Sequence, residues 1–156
     1  MEYRIADARD ARALAALRWD FRTEDGVEAA MSRDAFVDAC AAVLTEELAS
    51  GQWAYWVADD AGELVAMIFV RRIRKVPKPL RLHDEFAYMT NVYARPAYRN
   101  RGVGSELMRH VIAWAREQDF ENIIVWPSER AVSFYTHAGF APDTEALNLQ
   151  LRDYVG

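Results

Sequence analysis

Cysteine occurs once in this chain of 156 residues, at Cys40, and lysine only at Lys75 and Lys78. A lone cysteine cannot form an internal disulfide, and its helical spacing with Phe36 and Leu44 predicts a buried structural thiol. The three histidines, His83, His110 and His137, are too scattered for a ligand set, so no metal is expected. Because lysine is rare, the basic residues are almost all arginine, and no single arginine is a ligand signal by its presence alone. Excess positive charge is also lacking. A net charge of −5 argues against a nucleic-acid partner, although it could attract a cationic amine. No apolar run can span a bilayer, and Met1–Arg4 has no apolar signal core. No membrane partner and a cytoplasmic location are therefore expected. Repeats, low-complexity tracts and internal linkers are missing too, which predicts a single domain over residues 1–156.

The residues present suffice for a core, since 52% of them are hydrophobic. Tyr3–Ala6 predicts a first strand. Asp7 then caps a helix that carries Leu14, Leu17 and Phe21 on one face. An acidic loop over Glu24–Glu28 precedes a second helix, capped by Ser32, with Phe36, Cys40, Val43 and Leu44 expected to face inward. Trp53–Ala58 and Leu64–Val70 predict a hairpin around a five-residue loop, Asp59–Glu63. A basic loop with prolines, Arg71–Leu82, leads to a strand at Phe86–Ala94 that ends before Pro96. Val103–Gln118 reads as an amphipathic helix, and Ile123–Trp126 as a short buried strand. Ser128 can cap a further helix, which Gly139 would stop, and Ala146–Leu151 suggests a terminal strand. The class is mixed α/β.

Two segments carry chemistry. Between the Phe86–Ala94 strand and the following helix stands Arg99-Asn100-Arg101-Gly102-Val103-Gly104. Its glycines permit a sharp turn, and the amides at the start of the helix lack internal partners and sit at the positive end of the helix dipole. Such a junction suits a phosphate or pyrophosphate. It is not a P-loop, because Gly104-Ser105-Glu106 supplies no lysine, nor a dinucleotide fingerprint, because position 107 is leucine. The second segment is Ala131-Val132-Ser133-Phe134-Tyr135-Thr136-His137-Ala138-Gly139-Phe140. Taken alone, it reads as an amphipathic helix with a half-buried tyrosine.

In sequence, the strand, Arg-x-x-Gly-x-Gly, helix, strand and Ala-x-x-Phe-Tyr-x-x-x-Gly-Phe resemble the GNAT superfamily of N-acetyltransferases. The motifs run from about Phe86 to Phe140, and the order of elements before them agrees. The resemblance implies a GNAT-like α/β fold. Its central sheet is mixed and mostly antiparallel, with about six to seven strands flanked by about four helices. That sheet is splayed between its fourth and fifth strands.

The resemblance also implies an acetyl-CoA-dependent transfer to the amine of a small molecule or peptide by direct attack in a ternary complex. Arg99, Asn100, Arg101, Gly102, Val103, Gly104 and Ser105 would wrap the cofactor's pyrophosphate, with the backbone amides of Arg101 to Ser105 as donors. Val92, Tyr93 and Ala94 would pair with the pantetheine arm through their backbones. A β-bulge is expected near Val92, freeing an amide for the thioester carbonyl. Tyr135 aligns with the general acid that protonates the departing thiolate. Ser128 stands where many relatives carry a cofactor-contacting asparagine, and it can still donate a hydrogen bond.

No base is assigned. Asp84 and Glu85 could relay a proton through water, or serve as solvated charge at a strand end. Acceptor-side residues would come from Trp19, Phe21, Glu24, Asp25 and Glu28, opposite Arg71, Arg72, Arg74, Lys75 and Lys78. An antibiotic, a polyamine, an amino acid and a protein N-terminus all remain as acceptors. A homodimer is compatible with the family, and the alternative function is a non-catalytic acyl-CoA sensor or interaction module.

Overall fold

A computed structural model describes residues 1–143 and 146–151. They fall into two compact units, Met1–Trp126 and Pro127–Gly156, and each is described by itself.

In the first unit, five strands form one sheet in sequence order. They are β1 (Glu2–Ile5), β2 (Trp53–Asp60), β3 (Glu63–Arg74), β4 (Glu85–Ala94) and β5 (Ile123–Val125). β1 to β4 are antiparallel neighbours, and β5 joins β4 in parallel after a helical crossover. Helices α1 (Ala11–Thr23) and α2 (Arg33–Ser50) cover one face, and α3 (Val103–Glu117) packs on the sheet from the other. Alternation along the strands sorts the core between these layers. Leu14, Leu17, Val37 and Leu44 pack with Tyr55, Val57, Met67, Phe69 and Tyr93. The next residue of β2, Trp56, points the opposite way and meets Trp114 of α3 edge-on.

Local signals set the helix ends. Asp7 and Asp10 form a reciprocal capping box around a short 3-10 turn, Ala8–Asp10, from which α1 continues. The Ser32 hydroxyl accepts from the amide of Ala35 at the start of α2, as its sequence position predicts. In the second unit, α4 (Val132–His137) follows a 3-10 turn at Glu129–Ala131. It ends in a Schellman motif. Gly139 adopts φ 96°, its amide donates to Thr136 O, and Phe140 N donates to Tyr135 O.

Several expectations need correction. The sheet has five strands among the described residues, not six to seven. Ala146–Leu151 lies outside any strand, with Leu147, Leu149 and Leu151 exposed. A period-two pattern becomes a strand only where a neighbouring edge supplies hydrogen bonds. The β2–β3 loop shrinks from five residues to two. Ala61 and Gly62 both take positive φ, 55° and 94°, which is the I′ geometry that matches strand twist. Arg71 to Arg74 belong to β3 rather than to a loop, because Arg72 and Arg74 pair across the ladder with Glu85. Val43 faces outward and Val37 takes the core position. Trp126 lies beyond β5 and is exposed, with its ring edge-on to that of Tyr88. Among the described residues, no helix is long and apolar enough to cross a membrane.

Candidate functional site

The second half of β4 differs from the first. Against β3, Phe69 stands opposite Thr90 and Met67 opposite Tyr93, so Ile68 alone faces both Asn91 and Val92. This is a β-bulge, at the place expected from Val92. Asn91 takes the strain, with φ 51°, a conformation that asparagine tolerates better than most residues. Its side-chain Oδ1 accepts from Nη1 of Arg18, on α1. On the other side of β4, pairing with β5 covers Ala87, Tyr88 and Met89 and stops there. β5 itself ends at Val125, so Thr90 to Ala94 have no β5 partner among the described residues.

The chain leaves β4 through Arg95, whose amide donates to Val65 O at 2.9 Å. A 3-10 turn, Pro96–Tyr98, follows, fixed by a 2.9 Å hydrogen bond from the Tyr98 hydroxyl to Asp60. Asn100 and Gly102 then take left-handed backbones, with φ 57° and 81°. A Cβ at Gly102 would meet no atom within 4 Å, so glycine is needed here for its backbone freedom rather than for space. Val103 is buried and anchors the first turn of α3, while Arg101, Gly102 and Ser105 are exposed around it. The amide of Glu106 reaches back to Gly102 O at 2.9 Å. The amides before it, at Val103, Gly104 and Ser105, lack helical acceptors, as at every helix start.

Not every arginine of the motif aims at the helix start. Arg99 gives Nη1 and Nη2 to the two carboxylate oxygens of Glu24, both at 2.5 Å, and Nε to Ala94 O at 2.9 Å. Its guanidinium also lies 5.4 Å from the centre of the Tyr93 ring. Arg101 folds over Tyr98 and donates to Ala97 O. Thus the side chains of Arg99 and Arg101 are engaged in shaping the loop.

The sequence profile of the acetyltransferase (GNAT) family matches residues 12–140. The chain belongs to this family. The match runs through both units and includes both motif segments. Among solved structures, a GCN5-related N-acetyltransferase from Ralstonia eutropha JMP134 is 27% identical, with a TM-score of 0.74 over 96% of this chain and 97% of that one. A predicted acetyltransferase from Clostridium acetobutylicum, solved with acetyl-CoA, is 23% identical, with a TM-score of 0.78 over 96% of each chain. A probable acetyltransferase superposes over the full length of both chains at a TM-score of 0.80 and 20% identity. The last two likenesses concern the fold.

In this GNAT protein, the carboxylates considered for proton relay have other work. Asp84 is buried among Lys75, Lys78 and Arg81, and the hydrogen bond from Lys78 holds its carboxyl below the usual range. Glu85 is likewise lowered by its pairing with Arg72 and Arg74. Both stand at the opposite end of β4 from the bulge, roughly 20 Å away at ordinary strand rise. They are structural ion-pair partners, and Asp84 is buried rather than solvated charge at a strand end. The basic residues Arg72, Arg74, Lys75 and Lys78 are the other halves of these pairs. Arg71 instead lies over Trp53.

The second unit carries Tyr135 and Ser128. Tyr135 is buried within α4, with the rings of Phe134 and Phe140 at 5.3 and 5.5 Å. Burial pushes its phenol up to about 12, so it stays protonated at neutral pH. Ser128 precedes the Glu129–Ala131 turn, but its side chain makes no capping hydrogen bond there. Capping therefore does not account for this hydroxyl. The residues missed at the sequence level are Arg18 and Asn91. An asparagine inside a strand pattern was the available signal, since it favours left-handed backbone and so marks a bulge.

Proposed function

We propose that this protein is an N-acetyltransferase, a single GNAT domain over residues 1–156 that transfers acetyl from acetyl-CoA to a primary amine by direct attack. The observation that carries this reading is the bulge at Asn91–Val92, next to the stretch of β4 that β5 leaves unpaired and followed by a glycine turn into α3. Acetyl-CoA supplies an activated acetyl thioester. Val92, Tyr93 and Ala94 offer backbone groups to its pantetheine arm. The loop over Arg99 to Ser105 offers the amides of Arg101 to Ser105, at the positive end of the α3 dipole, to its pyrophosphate. A bulge amide aimed at the carbonyl oxygen stabilises the negative charge that develops there, an effect worth roughly 3 kcal/mol of barrier.

Tyr135 is the proposed acid. The amine nitrogen bonds to the carbonyl carbon, the carbon–sulfur bond breaks, and Tyr135 gives its proton to the leaving thiolate. The phenol is then reprotonated from solvent, and the nitrogen's surplus proton leaves to water. A thiol titrates near about 8.5, so complete transfer from a phenol held at about 12 is uphill. A hydrogen bond that moves toward sulfur as charge builds there fits this difference better than early protonation. Ser128 is proposed to donate to the cofactor.

The competing function is an acyl-CoA sensor without turnover, favoured by the commitment of Asp84 and Glu85 to ion pairs. Calorimetric titration with acetyl-CoA, against desulfo-CoA and ATP, tests the cofactor. Micromolar binding lost in Gly102→Glu/Gly104→Glu supports the pyrophosphate loop, and no binding to the unaltered protein removes the proposal. Thiol release across a panel of amines then separates enzyme from sensor and identifies the acceptor class.

A further inference from the structure

Arg18, Phe21 and Glu24 follow one another along α1 and its C-terminal cap at intervals of three residues, so they share one face. Each meets a different residue of the candidate cofactor site. Arg18 donates to the side chain of Asn91 in the bulge. The ring of Phe21 lies 5.4 Å from that of Tyr93. Glu24 takes both terminal nitrogens of Arg99 at the start of the glycine loop. Along α1, this stripe touches the bulge, the strand end and the loop in the order in which the chain makes them.

We propose that Arg18 is a positioning residue for the bulge amide and Glu24 a positioning residue for the pyrophosphate loop, with α1 setting the span between them. These roles presuppose the acetyl-CoA site proposed above. A residue other than glycine at φ 51° persists only where its surroundings hold it, and the Arg18 hydrogen bond is such a hold on Asn91. Without it, Asn91 is free to relax toward extended backbone, and the amides at Asn91 and Val92 turn with it.

At the other end, the Glu24 carboxylate fixes a guanidinium that is also tied to Ala94 O. The loop amides are thereby aimed before the ligand arrives, which lowers the cost of binding. The same pair could act in the opposite sense, with Glu24 competing against pyrophosphate for Arg99. The two possibilities give opposite signs for Glu24→Gln.

The test needs no acceptor. Infrared difference spectra of bound [1-13C]acetyl-CoA report how strongly the thioester carbonyl is polarised, and calorimetry with coenzyme A reports affinity. In the unaltered protein, the carbonyl band is expected below its position in free acetyl-CoA. In Arg18→Ala and in the gentler Arg18→Gln, it should move back toward the free position, while coenzyme A affinity changes by less than about threefold. Adding Asn91→Gly should restore the band, because glycine adopts the left-handed conformation unaided.

Glu24→Gln should leave the band in place and weaken coenzyme A binding by up to about fivefold, the range of an exposed ion pair. An unmoved band in both Arg18 variants, or tighter binding by Glu24→Gln, overturns the brace and leaves the acetyl-CoA site standing. Failure of the unaltered protein to bind acetyl-CoA sinks both. Circular dichroism of each variant distinguishes unfolding from a local change.

Discussion

Oδ2 of Asp84 lies 3.1 Å from Nζ of Lys78, across the connection between β3 and β4. The carboxylate is almost wholly buried, and Lys75 and Arg81 approach it from either side. Lys75 and Arg81 continue to Glu121 and Asp119, on the connection between α3 and β5. The carboxylate thus gathers three cations of one proline-containing connection, and two of them also tie that connection to the one between α3 and β5. Asp84→Asn should lower the melting temperature at pH 7 by leaving three cations without their shared anion. The lowered pKa gives the sign of the pH dependence. Because the folded state favours the ionised form, the contribution is complete above the unfolded value of about 4 and fades as pH falls through the lower folded value. Melting curves of both proteins should therefore converge below about pH 4. A gap that stays constant down to pH 2.5 would contradict the assignment.

The β2–β3 turn holds Ala61 in a left-handed conformation that its Cβ resists. Ala61→Asn should stabilise the protein by about 0.5 kcal/mol, since asparagine is favoured at the first central position of an I′ turn. Urea unfolding would show a higher midpoint with an unchanged slope.

Leu17 is completely buried between α1 and the sheet, whereas Val43 is more than half exposed on α2. Leu17→Ala should cost about 2–5 kcal/mol, combining lost burial with a residual cavity. Val43→Ala should stay within about 0.5 kcal/mol. Equal losses in chemical denaturation would mean that α2 turns Val43 toward the core instead.

Tyr135→Phe should slow acetyl transfer to an amine found by thiol release, with coenzyme A affinity nearly unchanged. Since burial raises the phenol to about 12, it remains a donor through the neutral and mildly alkaline range. The rate should therefore show no fall from Tyr135 ionisation until pH approaches about 11. Unaltered turnover in Tyr135→Phe removes this residue from the mechanism.

Much of the site was legible because its signals are local. The glycine turn, the Ser32 cap and the Gly139 stop each depend on a few neighbouring residues with restricted backbone choices. The bulge near Val92 followed from family resemblance, and the asparagine beside it supplies the backbone conformation. The roles of Asp84 and Glu85 were not legible. A carboxylate's partners lie at distances in space that sequence spacing does not encode, and here they convert two candidate relays into fixed ion pairs.

By itself, the sequence determined the class of the fold, the placing of four helices and of the strands at the centre of the sheet, and the glycine junction between β4 and α3. Each of these follows from periodicity and from backbone preferences acting over a few residues. Only the tertiary structure decided where strand pairing ends, which arginines are already engaged, and that one face of α1 meets the bulge, the strand end and the loop in turn. Those outcomes depend on contacts between residues up to 75 positions apart, as Glu24 and Arg99 are. The chain must be folded before such groups can meet.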